Sequence, residues 1–240
     1  MVERDFSRRS LEAELMDDAS LSFEAFRNCL RDLEIVNRYT LAYRPTLRWL
    51  KRTLRTVNST DHISILDVGS GGGGMLRRID HWARKNNRQV ELVGVDLNPW
   101  SKRSAEQLTP ANAQIRFETS DVFTFEPGAI DLIISSLFTH HLADSKVVCF
   151  LRWMDQHAVR GWFINDLHRH PLPSLVFTHA ARLLCFDRIV RYDGPLSIAR
   201  AFTASDWQRL LAAAGIPTKR TRIDWFFPFR YCVAGWKGNQ

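Results

Sequence analysis

Cysteine is scarce in this 240-residue chain, and its four cysteines stand far apart in the sequence, at Cys29, Cys149, Cys185 and Cys232. No two of them have the short spacing that is typical of a zinc site or of a redox-active pair. We therefore expect buried or incidental free thiols in a reducing compartment, the cytoplasm. The same spacing argues against zinc, and we predict no metal.

Long apolar runs are absent as well. No segment approaches the roughly 18–20 consecutive apolar residues that a transmembrane helix needs. The first ten residues are charged and lack the apolar stretch of a secretory signal. Repeats and low-complexity tracts are also missing. With 45% hydrophobic and 25% charged residues, the composition predicts a globular protein with a sizeable core and no membrane insertion.

Acidic residues are outnumbered, with 26 Asp and Glu against 33 Lys and Arg, which gives a formal net charge of +7. The excess lies in the last third of the chain, as single arginines rather than as a block. This spread favours a solvated, arginine-rich surface over a nucleic-acid interface. A face that binds nucleic acid or another anionic surface remains the alternative.

The spacing of apolar residues predicts helices within 10–57, and Asp17 with Asp18 would begin the second of them. Short apolar strands then alternate with helices, and the predicted strands cover 63–68, 90–96, 114–118, 130–135 and 161–164. This alternation indicates an α/β fold whose parallel sheet is covered on both faces. Two last strands, 219–225 and 230–236, are predicted to form a terminal hairpin.

The strongest motif is a cluster of glycines between the first strand and the next helix. Glycine lets a backbone turn tightly and approach a ligand closely. Gly69, Gly71 and Gly74 also satisfy the dinucleotide fingerprint, which is a weak signal by itself. Asp67 stands where dinucleotide folds keep an apolar residue, and Asp96 ends the second strand. A carboxylate at that position can accept hydrogen bonds from both hydroxyls of a ribose.

Over about residues 60–236, this ordered series of motifs resembles the class I S-adenosylmethionine-dependent methyltransferases. The resemblance implies a seven-stranded, mostly parallel sheet flanked by helices, with the last strand antiparallel. It also implies a set of cofactor-binding residues: Asp67, Gly69, Ser70 and Gly71 around the methionine part, Asp96 at the ribose, Leu97 and Asn98 beside the adenine, Asp121 at the adenine amino group, Val122 packed on the ring, and Ser135 beneath the transferable methyl group.

Three flanking features, residues 14–18 followed by 33–38, residues 164–171 and residues 193–203, resemble within that class a bacterial group of small-molecule methyltransferases of secondary metabolism. This closer resemblance implies that residues 1–60 form an N-terminal helical cap, with Asn37 and Arg38 near the cofactor carboxylate. Residues 61–240 would then form the Rossmann-like methyltransferase domain, and residues 171–203 a helical lid inserted between strands five and six.

Two groups of histidines follow the fourth and fifth strands, at the edge where open α/β sheets bind ligands. Histidine is the usual general base near neutral pH. We predict that His168 takes the acceptor's proton, with Asp166 or His140 as orienting group or substrate contact. His141 is assigned a packing role. A metal cluster of His140, Asp166 and His168 is less favoured, because hard cations prefer more carboxylates.

The sequence thus predicts an enzyme that moves a methyl group from S-adenosylmethionine to a small aromatic, phenolic or polyketide-derived hydroxyl acceptor and releases S-adenosylhomocysteine. Five aromatic residues are expected to line the acceptor pocket: Phe138, Phe177, Phe202, Trp225 and Phe226. The alternatives are methylation of nitrogen, carbon or RNA, an NAD-dependent oxidoreductase, and a non-catalytic cofactor-binding partner of a larger complex. The chain is expected to be a monomer or a homodimer.

Overall fold

A single mixed sheet organises the computed structural model, which describes residues 4–18 and 20–237. Its strands are β1 (Ile63–Val68), β2 (Val90–Asp96), β3 (Ile115–Thr119), β4 (Ile130–Ser136), β5 (Ala158–Leu167), β6 (Thr221–Phe226) and β7 (Arg230–Trp236). Their order across the sheet is β3-β2-β1-β4-β5-β7-β6. The first five strands pair in parallel, and β7 runs antiparallel to both of its neighbours. The predicted seven-stranded sheet with an antiparallel last strand is therefore confirmed.

Eight α-helices accompany the sheet in the described part of the chain: α1 (Phe23–Tyr39), α2 (Arg44–Thr53), α3 (Gly74–Lys85), α4 (Pro99–Leu108), α5 (Asp144–His157), α6 (Pro171–Leu183), α7 (Arg188–Arg200) and α8 (Ala204–Ala214). Local signals explain several of their ends. Asn98 caps α4, Thr203 and Asp206 form a capping box on α8, and Gly215 ends α8 in the left-handed conformation. None of the helices in the described ranges is long and apolar enough to cross a bilayer.

Both faces of the sheet are covered, which is why its strands are continuously apolar. Neighbouring residues of β1 serve opposite faces, because strand side chains alternate. Ile65 packs with Trp49 of α2 and with α3, whereas Leu66 packs in the other cluster, with Phe150 of α5 and Trp207 of α8. The two hydrophobic layers hold the carboxyl ends of β1, β2, β4 and β5 side by side, where they form the floor of the candidate site.

The N-terminal region differs from the prediction in two ways. Among the described residues of 10–22, the one helical element is the short 3-10 turn Leu15–Asp17, and α1 begins after Ser22, whose Oγ accepts the Ala25 N–H. Asp17 and Asp18 are therefore not its cap. Second, α2 lies in the segment expected to form a cap but packs on the sheet, where Trp49 stacks on Phe163.

A small third cluster joins α1 to the two helices that follow β5. Cys29 of α1 packs with Ala181 of α6, with Phe186 just before α7 and with Val190 of α7. Both α6 and α7 lie in the region predicted as a lid, and this cluster packs them against α1. All four cysteines are free; Cys29 is one of the two buried ones.

Candidate active site

A cavity of about 1910 Å³ lies where the parallel strands end. Its walls come from the glycine loop after β1, the loops after β2, β3 and β4, helix α1, helices α6 and α7, and the turn between β6 and β7. Pockets for one drug-sized ligand usually measure roughly 300–1,000 Å³. The cavity therefore has room for two ligands at once, which a group transfer between two molecules requires.

The glycine loop needs glycine for two different reasons. Gly69 has φ +70°, and a Cβ there would stand 2.7 Å from the Phe138 ring, so packing excludes a side chain. Gly71 has φ +49° and lines the cavity, and a Cβ there would meet only Leu30, at 3.8 Å. The protein itself leaves the space over Gly71 open, as the close approach of a ligand demands.

Asp96 ties the loop after β1 to the loop after β2. Its Oδ2 accepts the Gly71 N–H at 2.8 Å, and its Oδ1 accepts the Asn98 N–H at 3.0 Å. Burial raises the pKa of Asp96, although these hydrogen bonds oppose the shift. A carboxylate oxygen can accept more than one hydrogen bond, which suits hydroxyl donors from a ligand. Asn98 itself caps α4 by accepting the Trp100 N–H, so its amide oxygen already has a donor.

Asp67 is a buried carboxyl group at the cavity wall, and its Oδ1 has no hydrogen-bond partner among the described residues. Burial, with the nearby charge of Asp96, raises the pKa of Asp67 to about 8. A buried acid without a partner is costly to keep ionised. No positive group among the described residues pairs with the Asp67 carboxylate, and an ammonium group from a ligand would be a suitable partner.

The raised pKa predicts how stability depends on pH. A carboxyl group whose pKa rises on folding stabilises the protein fully below the ordinary value near 4, and this contribution is lost as the pH rises through about 8. Between pH 5 and 9 we expect the Tm of ligand-free wild type to fall more steeply than that of Asp67→Asn. Differential scanning calorimetry checks this, with the exposed Asp61→Asn as control. Parallel curves for Asp67→Asn and wild type would contradict it.

Most of the other predicted cofactor residues surround the same cavity: Ser70, Leu97, Asp121, Val122 and Asn37. Val122 is buried, and Leu97 is 69% exposed. Asp121 Oδ1 accepts the Phe123 N–H at 2.9 Å. The loops after β2 and β3 therefore present an apolar and an acidic group to the same space.

Two predicted cofactor residues do not face the cavity. Ser135 is buried and donates from Oγ to the Val68 carbonyl at 2.9 Å, whereas Ser136 lines the cavity. The side-chain alternation of a strand separates the two. Arg38 is exposed on α1, while its neighbour Asn37 lines the cavity, because one residue turns a helix by about 100°.

His140, in the loop after β4, forms a buried pair with Asp166 of β5. His140 Nδ1 lies 2.7 Å from Asp166 Oδ1, and Asp166 Oδ2 accepts the backbone N–H of His140 at 3.0 Å and the Thr139 hydroxyl. Burial would raise the pKa of Asp166, but His140 and these hydrogen bonds lower it to about 2. The ionised carboxylate keeps the imidazole proton on Nδ1. The lone pair of a neutral His140 is then on Nε2, as in an oriented general base.

His168 has the opposite arrangement. The Trp225 indole N–H donates to His168 Nδ1 at 3.2 Å, so the neutral ring carries its proton on Nε2. Burial, with nearby His170, lowers the pKa of His168, which favours the neutral ring. His168 lines the cavity as a hydrogen-bond donor. The prediction gave Asp166 or His140 as the group that orients His168 or contacts the substrate; the structure pairs Asp166 with His140, and the partner of His168 is Trp225.

The N-terminal segment contributes two carboxylates that the sequence reasoning missed. Glu14 is buried, with its oxygens 3.8 Å from His140 Nε2 and 3.9 Å from His141 Nε2. Asp17 Oδ2 lies 3.0 Å from His141 Nδ1. Although burial opposes it, these acids raise the pKa of His141 to about 9. No local pattern pairs Glu14 or Asp17 with these histidines, because the partners are more than 120 residues away in the chain.

Glu14, His140 and His141 bring their ligand atoms within 4.8 Å of one another, a spacing that could hold a metal ion. The Glu14 carboxylate already has a positive partner there, because Arg200 Nε lies 3.4 Å from Glu14 Oε1. Among the residues that the structure describes, His168 does not join such a group. The cluster of His140, Asp166 and His168 that the sequence left open is therefore not formed.

The aromatic wall is only partly as predicted. Phe138 and Phe177 line the cavity, but Phe202 is buried against Trp207 and neither Trp225 nor Phe226 reaches the cavity. Their place is taken by four other apolar residues, from α6 and from the turn between β6 and β7: Leu172, Val176, Phe227 and Phe229. The end of the cavity beside His168 is thus apolar and partly aromatic.

Comparison with known proteins agrees with this architecture. A protein-family model described as "Methyltransferase domain" matches residues 65–161, which run from β1 through the glycine loop, Asp96 and His140 into β5. No curated protein sequence matches the chain significantly.

Solved structures with similar folds include three methyltransferases. The plantazolicin methyltransferase BpumL, in complex with a pentazolic desmethylPZN analog and SAH, has 16% identity and a TM-score of 0.63, and the match covers 86% of this chain and 89% of that one. Magnesium protoporphyrin IX methyltransferase (ChlM) from Synechocystis PCC 6803, with bound SAH, has 15% identity, a TM-score of 0.58 and coverage of 92% and 90%. Human N-acetylserotonin methyltransferase, in complex with SAM, has 16% identity, a TM-score of 0.52 and coverage of 73% and 48%.

The family match and the strand order point to the same class. The matched residues supply the loops at the carboxyl ends of β1, β2 and β4, which form the centre of the cavity. Residues 65–161 therefore match a methyltransferase-domain model, and the chain has the class I methyltransferase fold.

Proposed function

We propose that this protein transfers the methyl group of S-adenosylmethionine to a hydroxyl group of a small aromatic acceptor, as an O-methyltransferase of secondary metabolism. One observation carries the proposal: a single cavity joins a nucleoside cradle, made by Gly71 and Asp96, to an apolar end beside His168, and His140, oriented by Asp166, lines the same cavity. Proteins with similar folds include methyltransferases of plantazolicin and of magnesium protoporphyrin IX, which are small molecules.

The cofactor fits the cradle residue by residue. Asp96 would accept the ribose hydroxyls, and the partnerless Oδ1 of Asp67 would receive the ammonium group of the methionine part. Gly71 leaves room for close approach. Leu97 and Val122 would enclose the adenine, with Asp121 at its amino group. S-adenosylmethionine supplies a sulfonium-bound methyl group, which is the hard part of the chemistry.

The chain's own residues position the acceptor and move its proton. Transfer is an in-line displacement, so holding the acceptor oxygen opposite the sulfonium provides much of the acceleration. His140 Nε2 would accept the hydroxyl proton, because Asp166 keeps the other ring nitrogen protonated. His168, with its proton on Nε2, would donate to the acceptor and orient it. The apolar walls exclude water from the nucleophile.

Isothermal titration calorimetry tests the cofactor assignment directly. We expect S-adenosylmethionine and S-adenosylhomocysteine to bind with micromolar affinity and NAD not to bind. Gly71→Val should abolish binding of both, since its side chain occupies the open space over the loop and its φ of +49° is strained for valine. Gly128→Ala, where φ is also positive but nothing lies within 4 Å, controls for backbone strain. Binding of NAD alone would refute the proposal.

A further inference from the structure

Arg230 is a buried cation in the cavity wall that lacks an acidic partner. It begins β7, is 2% exposed, and makes one side-chain hydrogen bond, from Nη2 to Thr40 Oγ1 at 3.1 Å. Its Nε and Nη1 have no partner among the described residues. Asp166, the nearby acid, accepts hydrogen bonds from His140 and Thr139 and none from Arg230. The guanidinium therefore has no direct ion pair among the described residues, and the Asp166 charge acts on it only from a distance.

Another arginine of the cavity wall shows the contrast. Arg78 pairs with the Glu34 carboxylate at 2.9 Å. The fold thus supplies Arg78 with an acid. A charge that is buried without such an acid destabilises the folded state. A buried arginine at position 230 without an acid is explained if a ligand brings the acidic group that pairs with it.

The position of Arg230 assigns it to the acceptor side. Arg230 pairs with Leu167, the residue before His168, across β5 and β7. In the sheet order, β4 and β5 stand between β7 and the glycine loop of β1. Neighbouring strands are about 4.8 Å apart, so the backbone of Arg230 lies roughly 14 Å from the strand that carries the cofactor cradle. Its sequence neighbour Phe229 has its ring 5.8 Å from that of His168.

We propose that Arg230 binds an anionic oxygen of the methyl acceptor, so that the acceptor is an aromatic acid that carries the hydroxyl group to be methylated. A guanidinium recognises a carboxylate through charge-assisted hydrogen bonds that a neutral alcohol cannot match. The apolar wall beside it, with Phe229 and Leu172, would hold the aromatic ring. This inference rests on the proposed function and names its substrate class.

The test compares an acid with its neutral analogue. Calorimetry of the wild-type complex with S-adenosylhomocysteine should show 4-hydroxybenzoate binding roughly 10- to 100-fold more tightly than 4-hydroxybenzyl alcohol. Arg230→Met should lose this preference and keep its affinity for S-adenosylhomocysteine. The Tm of the ligand-free variant should be unchanged or higher, because an unpaired buried charge is replaced by an apolar side chain of similar length. Arg222→Met, which removes an exposed arginine from the neighbouring strand β6, is the matched control and should keep the preference.

Three results would overturn the inference. One is the absence of any preference for the acid in the wild type, which needs no variant. Another is a fall in the Tm of Arg230→Met, which indicates a structural role. The third is weaker binding of S-adenosylhomocysteine to Arg230→Met with unchanged binding of decarboxylated S-adenosylmethionine, which assigns the guanidinium to the cofactor carboxylate. The failure of the proposed function is a separate result, since the wild type would then bind neither S-adenosylmethionine nor S-adenosylhomocysteine.

Discussion

Replacing Asp96 with alanine is expected to weaken S-adenosylmethionine binding by roughly 100-fold or more, about 3 kcal/mol. The carboxylate would accept two ribose hydroxyls, and each charge-assisted hydrogen bond contributes about 1.5 kcal/mol or more. The variant also releases the N–H groups of Gly71 and Asn98 that Asp96 now holds. The cradle therefore loses both its ligand contact and its shape. Calorimetry with S-adenosylhomocysteine measures the effect without turnover.

Two variants separate these contributions. Asp96→Asn keeps a side chain of the same size with one acceptor oxygen, so we expect an intermediate loss of affinity. Asp121→Ala removes a carboxylate from the same cavity but not from the ribose position, and a smaller loss is expected. The Tm of each ligand-free variant shows whether the loop has kept its structure. An affinity of Asp96→Ala within threefold of wild type would refute the ribose assignment.

Replacing His140 with alanine is expected to lower kcat roughly 10²- to 10⁴-fold, the usual contribution of a general base. Asp166 holds the proton of His140 on Nδ1 and leaves Nε2 free to accept one. Asp166→Asn should therefore give a similar loss, because an amide does not enforce that tautomer. Transfer of labelled methyl from S-adenosylmethionine to 4-hydroxybenzoate, or to the best phenol of a panel, measures kcat.

The histidine that follows β5 provides the comparison. His168→Ala should raise KM more than it lowers kcat, since its role is to orient the acceptor as a donor. Partial rescue of His140→Ala by added imidazole would distinguish a base from a packing residue. If His168→Ala instead shows the larger loss of kcat and His140→Ala keeps its turnover, the assignment of the base is wrong.

Features that depend on neighbouring residues were predictable from the sequence. The bounds of β1, α3 and α5 follow from apolar periodicity and flanking glycine, and Gly215 marks the end of α8. The cradle was predictable for the same reason, because its glycines and Asp67 lie in one short run. Asp96 could be placed beside them since it ends the next strand, and parallel strands bring their carboxyl ends to one edge.

Some predicted residues lie one position away from the residue that lines the cavity. Others, the two histidines, are oriented by partners that are distant in the sequence. Ser136 rather than Ser135 reaches the cavity, and Asn37 rather than Arg38, because strand register and helix rotation are decided by packing. The exchange of roles between His140 and His168 has another cause. Each ring is oriented by a partner from a different strand, Asp166 of β5 and Trp225 of β6.

The sequence by itself determined the fold class, the order of the strands and helices along the chain, and the loop of glycines that lies beside Asp67 and Asp96, since these follow from local patterns. The tertiary structure alone decided which histidine carries a free lone pair, that Glu14 and Asp17 reach the histidines after β4, and that Arg230 is buried without an acid. Such facts concern pairs of groups far apart in the chain. Their protonation and charge depend on distance and burial, which no local pattern contains.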